Sequence, residues 1–244
     1  REVRTGLAAS LQRQATASVV GVTGTDAAER DQAFAAATAN CRRAVELRQA
    51  LSAEQAQDRD QLDGLATAWN ALGNLQYEWG HYAEALASFN GFRAANAALL
   101  AQVPGNEIWL HDQCIAASNA ANAAEHAHDY VQAKAAYADA AASAGAKAST
   151  ISTYAWFLLN CTDETQRDLP TGLEAAQKAD AKAKHQNSDI LDTLAWALFV
   201  NDRAREALAN GELALELMPA DAAEGDRESM KRRVQKYRDA LKKQ

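Results

Sequence analysis

Histidine, cysteine, glycine and asparagine clusters are where this 244-residue chain could do chemistry. His126, His128 and Asp129, with His111 upstream, carry metal-ligating atoms. Residues two apart on a helix point to roughly opposite sides, so His126 and His128 cannot share a metal while helical. Both fall where a turn between helices is expected, and polar residues are usual there. Cys41, Cys114 and Cys161 are far apart and form no Cys-x-x-Cys pair. An odd, scattered set offers neither a disulfide framework nor zinc spacing. Gly21, Val22, Thr23, Gly24 and Thr25 resemble a phosphate loop superficially. They lack the closing Gly-Lys-Ser/Thr and follow no strand pattern, so a loop between helices is expected. Leu169, Pro170, Thr171 and Gly172 lack the further residue of a sortase signal. No Gly-x-Ser-x-Gly elbow occurs, and no cysteine or serine has a local activating base. The expectation is a chain with no catalytic residues, no metal and no cofactor. What remains is a binding set: Asn70, Asn74, Tyr77, Asn119, Asn122 and Glu125 should project towards one face. Amide donors and acceptors beside an aromatic suit an extended or helical peptide.

The elements that must position this set are helices. The chain is 48% hydrophobic, much of that alanine, with only 3 prolines. Alanine is the best helix former, and few β-branched runs compete with it. Its small side chain favours thin layers of closely packed helices over one thick core. No apolar run approaches the roughly 20 residues that span a bilayer, so no membrane insertion is expected. Self-comparison at a shift of 48 residues superposes Phe34, Tyr82 and Tyr130, then Ala37, Ala85 and Ala133. The same shift aligns Cys41, Phe89 and Tyr137, then Ala44, Phe92 and Ala140. Steps of 3, 4 and 3 trace one helix face. A face that recurs three times implies a repeat.

Partner helices can be placed from the same pattern. Leu62, Leu65, Trp69, Leu72, Gln76 and Trp79 form an apolar stripe, with Ser52 and Gln55 expected as its capping box. It ends at Gly80, where positive φ is cheap. His81 and Tyr82 then open the next helix, which makes an αα-hairpin.

Trp69, Leu72, Gly73, Gly80, Tyr82, Ala85 and Phe89 resemble the tetratricopeptide (TPR) signature in order and spacing, with Tyr77 one residue past the usual aromatic. A second match comprises Leu194, Ala195, Leu198, Ala207, Ala214 and Pro219, with Asn201 and Asp202 as the turn. Between them lie a degenerate unit (Ala120, Ala121, Ala133, Tyr137, Ala140) and another with helices around Tyr154–Leu159 and Leu169–Ala183. The segment from Tyr154 through Arg167 and Asp168 to Ala175 is similar to bacterial TPR arrays, including those attached to Ser/Thr kinases. The resemblance implies an all-α, right-handed α-α superhelix whose first helices line a concave surface. Repeats are expected at about 52–103, 104–147, 148–187 and 188–221, after N-terminal helices and an incomplete first repeat at 1–51. Spacings of 48 and 40 residues exceed the usual unit of about 34. The first excess should lengthen both flanking helices, and the second should form a loop over Asn160–Asp168. Asp168 and Pro170 should restart a helix as N-cap and first-turn proline.

Some members of the resembled family clamp a peptide's C-terminal carboxylate. Asn74 and Asn119 match the asparagines of that clamp, but Asn70, Ser149 and Thr153 stand where its cations are expected. A carboxylate would lose its charge-assisted bonds there. Asparagines that bond neighbouring backbone, or a neutral ligand segment, are the preferred reading.

Charge is uneven. From Glu224 onward eight basic residues face four acidic, so the tail is +4 and the residues before it −11, within a net −7. An acidic body repels phosphates, so nucleic acid is not an expected partner. Met230, Val234, Tyr237 and Leu241 place one apolar stripe on the basic tail, which reads as a capping helix over 222–244. Its charged side could alternatively meet the acidic body of a second copy. The reading is a scaffold or adaptor that binds a protein or peptide. Alternatives are a regulatory segment of a larger signalling enzyme and an exported subunit of an envelope complex. The odd cysteine count suggests a cytoplasmic protein, the alternative being a periplasmic or exported one whose signal peptide has been removed.

Overall fold

The computed structural model describes residues 2–19, 26–55 and 57–243. Among these it shows eleven α-helices and no strand. They are α1 (Glu2–Val19), α2 (Ala27–Glu54), α3 (Arg59–Glu78), α4 (Tyr82–Gln102), α5 (Glu107–His126), α6 (Tyr130–Ala142), α7 (Ala148–Asn160), α8 (Leu169–Ala183), α9 (Ser188–Val200), α10 (Ala204–Leu217) and α11 (Glu224–Leu241). The glycine-containing segment Gly21–Thr25 lies outside the described residues. The chain divides into two compact units, 1–136 and 137–244, with the boundary inside α6.

In the first unit α1 packs on α2, α2 on α3, α3 on α4 and α4 on α5. Helix starts follow two rules. The first helices α3, α5 and α9 carry a side-chain cap: Asp58, Asn106 and Asn187 accept from the backbone N–H of Gln61, Trp109 and Ile190 respectively. Each satisfies a donor that a helix N-terminus leaves without a partner. Asp58 and Asn106 are 48 residues apart, the repeat length. Helices α4, α6 and α10 instead begin directly from a tight turn. Gly80, His128 and Asp202 adopt positive φ of 79°, 60° and 62°. The residue after each donates to a carbonyl five positions back: His81 to Gln76, Asp129 to Ala124, Arg203 to Leu198. This closes the ending helix and reverses the chain.

The expected capping box is overturned. Ser52 is buried inside α2, which continues to Glu54, and Gln55 caps that helix's C-terminus. The Asp58 carboxylate lies closer to the free N–H groups of α3 and takes the role.

Small residues mark the crossings of paired helices. A Cβ added at Gly73 would lie 2.6 Å from Cε1 of Phe89, and one at Gly91 would lie 2.5 Å from Cδ2 of Trp69. Ala85 is fully buried. Helices α3 and α4 therefore interlock ring against backbone in both directions.

In the second unit α7 packs on α8, α8 on α9, α9 on α10 and α10 on α11. Tyr137 of α6 lies against Phe157 of α7, with centroids 5.1 Å apart. Asp168 caps α8 by accepting from Thr171 N–H, with proline in the first turn. The segment before it is tied down rather than free. Glu164–Gln166 form one 3₁₀ turn, Cys161 is buried, and Arg167 Nε donates to the Cys161 carbonyl at 2.7 Å. Helices α4 and α5 have 21 and 20 residues against 13 for α7 and α9, which is where the extra repeat length resides. Met230, Val234 and Tyr237 bury the inner stripe of α11. Among the described residues no helix is long and apolar enough to cross a membrane.

Candidate functional site

Helices α3 and α5 are the first helices of neighbouring hairpins in the first unit. Their side chains meet in one cluster: Ala66, Leu65 and Trp69 from α3, Phe92 and Ala95 from α4, Ala116 and Ile115 from α5. The 48-residue offset places Tyr77 on α3 at the position of Glu125 on α5, and Asn74 at that of Asn122.

At the C-terminal ends of the two helices an aromatic group forms. The Tyr77 ring meets Tyr82 edge-on at 5.3 Å and His126 edge-on at 5.5 Å. Tyr82 and His126 stack at 4.8 Å with planes 24° apart. Burial pushes the Tyr77 hydroxyl above its ordinary pKa, and Tyr82 and the nearby Glu125 carboxylate add to the shift. The phenol therefore stays neutral as a hydrogen-bond donor.

The remaining expected residues are placed as follows. Asn70 is half-buried, and its side-chain carbonyl Oδ1 is buried with no hydrogen-bond partner among the described residues. Asn74 is exposed and Asn119 half-buried. Asn122 and Glu125 are half-buried and already engaged within the protein. The structure thus brings Tyr77 and Glu125 together, with the asparagines along the same two helices.

Two partners of Tyr77 were missed from sequence. Tyr82 and His126 complete the aromatic group because one opens α4 and the other ends α5. The repeat shift, which sets Tyr82 beside the Gly80 turn and His126 beside its counterpart at His128, was the available signal. At the opposite end Asp112 of α5 feels Asp63 of α3. Burial raises the Asp112 carboxyl, Asp63 raises it further, and His111 opposes both. The α3–α5 face therefore runs from an acidic end, past the asparagine amides, to an aromatic end.

The histidines go to separate partners. His126 joins the aromatic group, while Nδ1 of His128 lies 2.7 Å from the Tyr130 hydroxyl. Among the described residues no three histidine, cysteine or acidic side chains converge as a metal site. All three cysteines are buried thiols, and burial pushes the Cys41 thiol above its usual pKa. Such a thiol is a poor nucleophile.

No protein-family model matches the chain, and no curated protein matches its sequence. The chain shares its fold with a solved structure. It is similar to BtubC (BKLC) from P. vanneervenii, at 14% identity over 84% of this chain and 82% of that one, TM-score 0.58. A thermophilic TPR protein in Thermus thermophilus is similar at 19% identity over 82% and 92% of the two chains, TM-score 0.38. The P58(IPK) TPR domain is similar at 12% identity over 95% and 66%, TM-score 0.41. What decides the repeat type is the crossing itself, with the Phe89 ring of α4 set directly against Gly73 of α3 and Ala85 of α4 fully buried. The fold is TPR-like. In these TPR-like hairpins α3 and α5 take the place of first helices, the ones on which the resemblance puts a binding surface.

Proposed function

We propose that this protein is an interaction scaffold that holds an extended or helical peptide along α3 and α5 of its first unit. The observation that supports the reading is the buried Asn70 carbonyl without a partner among the described residues, on the same helix as the half-buried Tyr77 and its rings. A buried acceptor left unpaired costs about 1–3 kcal/mol, and such groups call for an explanation. Rotation of this half-buried amide towards the surface would let a ligand N–H satisfy it. Exposed Asn74 and half-buried Asn119 supply further amide contacts to a peptide backbone. Tyr77 gives an apolar surface with a neutral hydroxyl, and Glu125 and Asp112 disfavour a carboxylate terminus at either end. The ligand segment is therefore neutral or basic.

The test is a photo-crosslinking side chain at position 77, used in extract of the native host, compared with the same group at exposed Val131 on α6. A discrete adduct specific to position 77, lost when Asn74 and Asn119 are both changed to alanine, is the expected result. The circular dichroism of that double variant should be unchanged. An adduct that survives both substitutions would place the partner elsewhere.

A further inference from the structure

The second unit carries a different kind of surface. Trp156 of α7 is 41% exposed, so part of its indole is bare. Beside it opens a groove of about 320 Å³, lined by Trp156, Asn160, Trp196, Ser229, Arg232, Arg233 and Lys236. Its walls are the first helices α7 and α9 and the closing helix α11.

The floor is pinned. The Trp196 indole N–H donates to Asn160 Oδ1 at 3.0 Å, and Asn160 Nδ2 donates to the Trp156 carbonyl at 3.0 Å. Arg233 is held by both carboxylate oxygens of Asp192. The other two cations are not consumed. Arg232 donates to the Ser229 hydroxyl at 2.8 Å, and Lys236 lies over the rings of Trp196 and Phe199 at 4.7 and 5.2 Å. Neither forms an ion pair among the described residues. The nearby Glu228 is bonded to Lys231 instead. Arg232 and Lys236, one helical turn apart, therefore project two cations outside any ion pair beside an exposed indole, with Glu228 acting on Arg232 only at longer range.

We infer that this groove binds a short acidic peptide segment of a partner protein, with its carboxylates on Arg232 and Lys236 and an apolar side chain against Trp156. Charge complementarity selects this occupant. The two cations outside ion pairs attract an anion, while the −11 carried by the residues before Glu224 repels a long polyanion such as nucleic acid. The pinned rings need an apolar group of side-chain size, which the groove volume admits. The site shares no residue with the α3–α5 face and does not depend on it.

The test is fluorescence anisotropy with a labelled peptide of glutamates around a central phenylalanine, at about 50 mM salt where charge contacts are least screened. The expected result is saturable binding that weakens roughly tenfold with Arg232→Gln and again with Lys236→Gln, each removing one charge-assisted bond. Lys236→Arg should bind within about twofold, because the charge is retained. Trp156→Ala should weaken the phenylalanine peptide but leave an all-glutamate peptide unaffected. Arg43→Gln, which removes a cation from α2, should change nothing. No binding, or binding indifferent to Arg232 and Lys236, would overturn the inference. So would tighter binding of oligothymidine, which would mark a nucleic-acid surface. A dimer in sedimentation that dissolves in Arg232→Gln/Lys236→Gln would overturn it as well, by showing that a second copy fills the groove.

Discussion

Gly73 and Phe89 show how one missing methyl group sets a helix crossing. The ring occupies the space where a Cβ would stand, 2.6 Å away, so Gly73→Ala must displace it. Overpacking of this kind costs about 1–3 kcal/mol. Urea denaturation should show the midpoint falling at unchanged slope, and an unmoved midpoint would contradict the crossing. Asp112 gives the opposite sign of effect. Its carboxyl is raised by burial and by Asp63, so the folded chain holds that proton more tightly than the unfolded one. Stability from this group is present at low pH and is lost as pH rises through the raised pKa. Asp112→Asn should therefore melt above the wild type at pH 7, with the gap closing as pH falls towards the ordinary carboxylate range near 4. A gap that widens on acidification would show that Asp112 is stabilising as an anion.

At the scale of elements, helix pairs depend on contacts that sequence neighbours cannot supply. Ala85 is fully buried on α4, which packs between α3 and α5. Ala85→Leu should destabilise by about 1–3 kcal/mol through overpacking, read from the thermal midpoint. Helix α11 is held by its apolar stripe and by Arg233, which reaches across 41 residues to Asp192. The Asp192 carboxyl is raised by burial even though Arg233 pulls it down. Arg233→Met would leave that carboxylate buried and unpaired, at a cost of about 3 kcal/mol given the partial exposure of the arginine. The cost should shrink as pH falls, because protonation removes the lone charge. Adding Asp192→Asn should restore most of the loss at pH 7; failure to restore it would mean the arginine acts through packing.

Across the whole molecule, helices touch mainly their sequential neighbours within each unit, so stability should be local. In repeat arrays each layer is supported by the next rather than by a common core. Hydrogen exchange on Arg233→Met should show faster exchange in α9, α10 and α11, with α3 and α4 unchanged. Uniform loss of protection would indicate one cooperative core instead. The two surfaces argued above differ in the same way. The α3–α5 face offers amides and rings between acidic groups, and the α7–α9–α11 groove offers rings beside cations outside ion pairs. They suit ligand segments of different charge.

The 48-residue recurrence, the alanine content and the Gly80 turn determined by themselves that helices form, that they pair, and which faces are buried. These are local properties: helix periodicity and side-chain size act within a few residues. The long α4 and α5 followed from repeat length in the same way. Tertiary structure alone decided which side chains from different helices share space. The cap of α3 went to Asp58 and not Ser52 because α2 continued past Leu51 to Glu54. The stack of Tyr82 on His126, the Asp63–Asp112 proximity and the convergence of Arg232 and Lys236 on Trp156 and Trp196 each join residues from separate helices. Such pairings depend on how helices are rotated and offset against one another, and periodicity along a single helix carries no record of that.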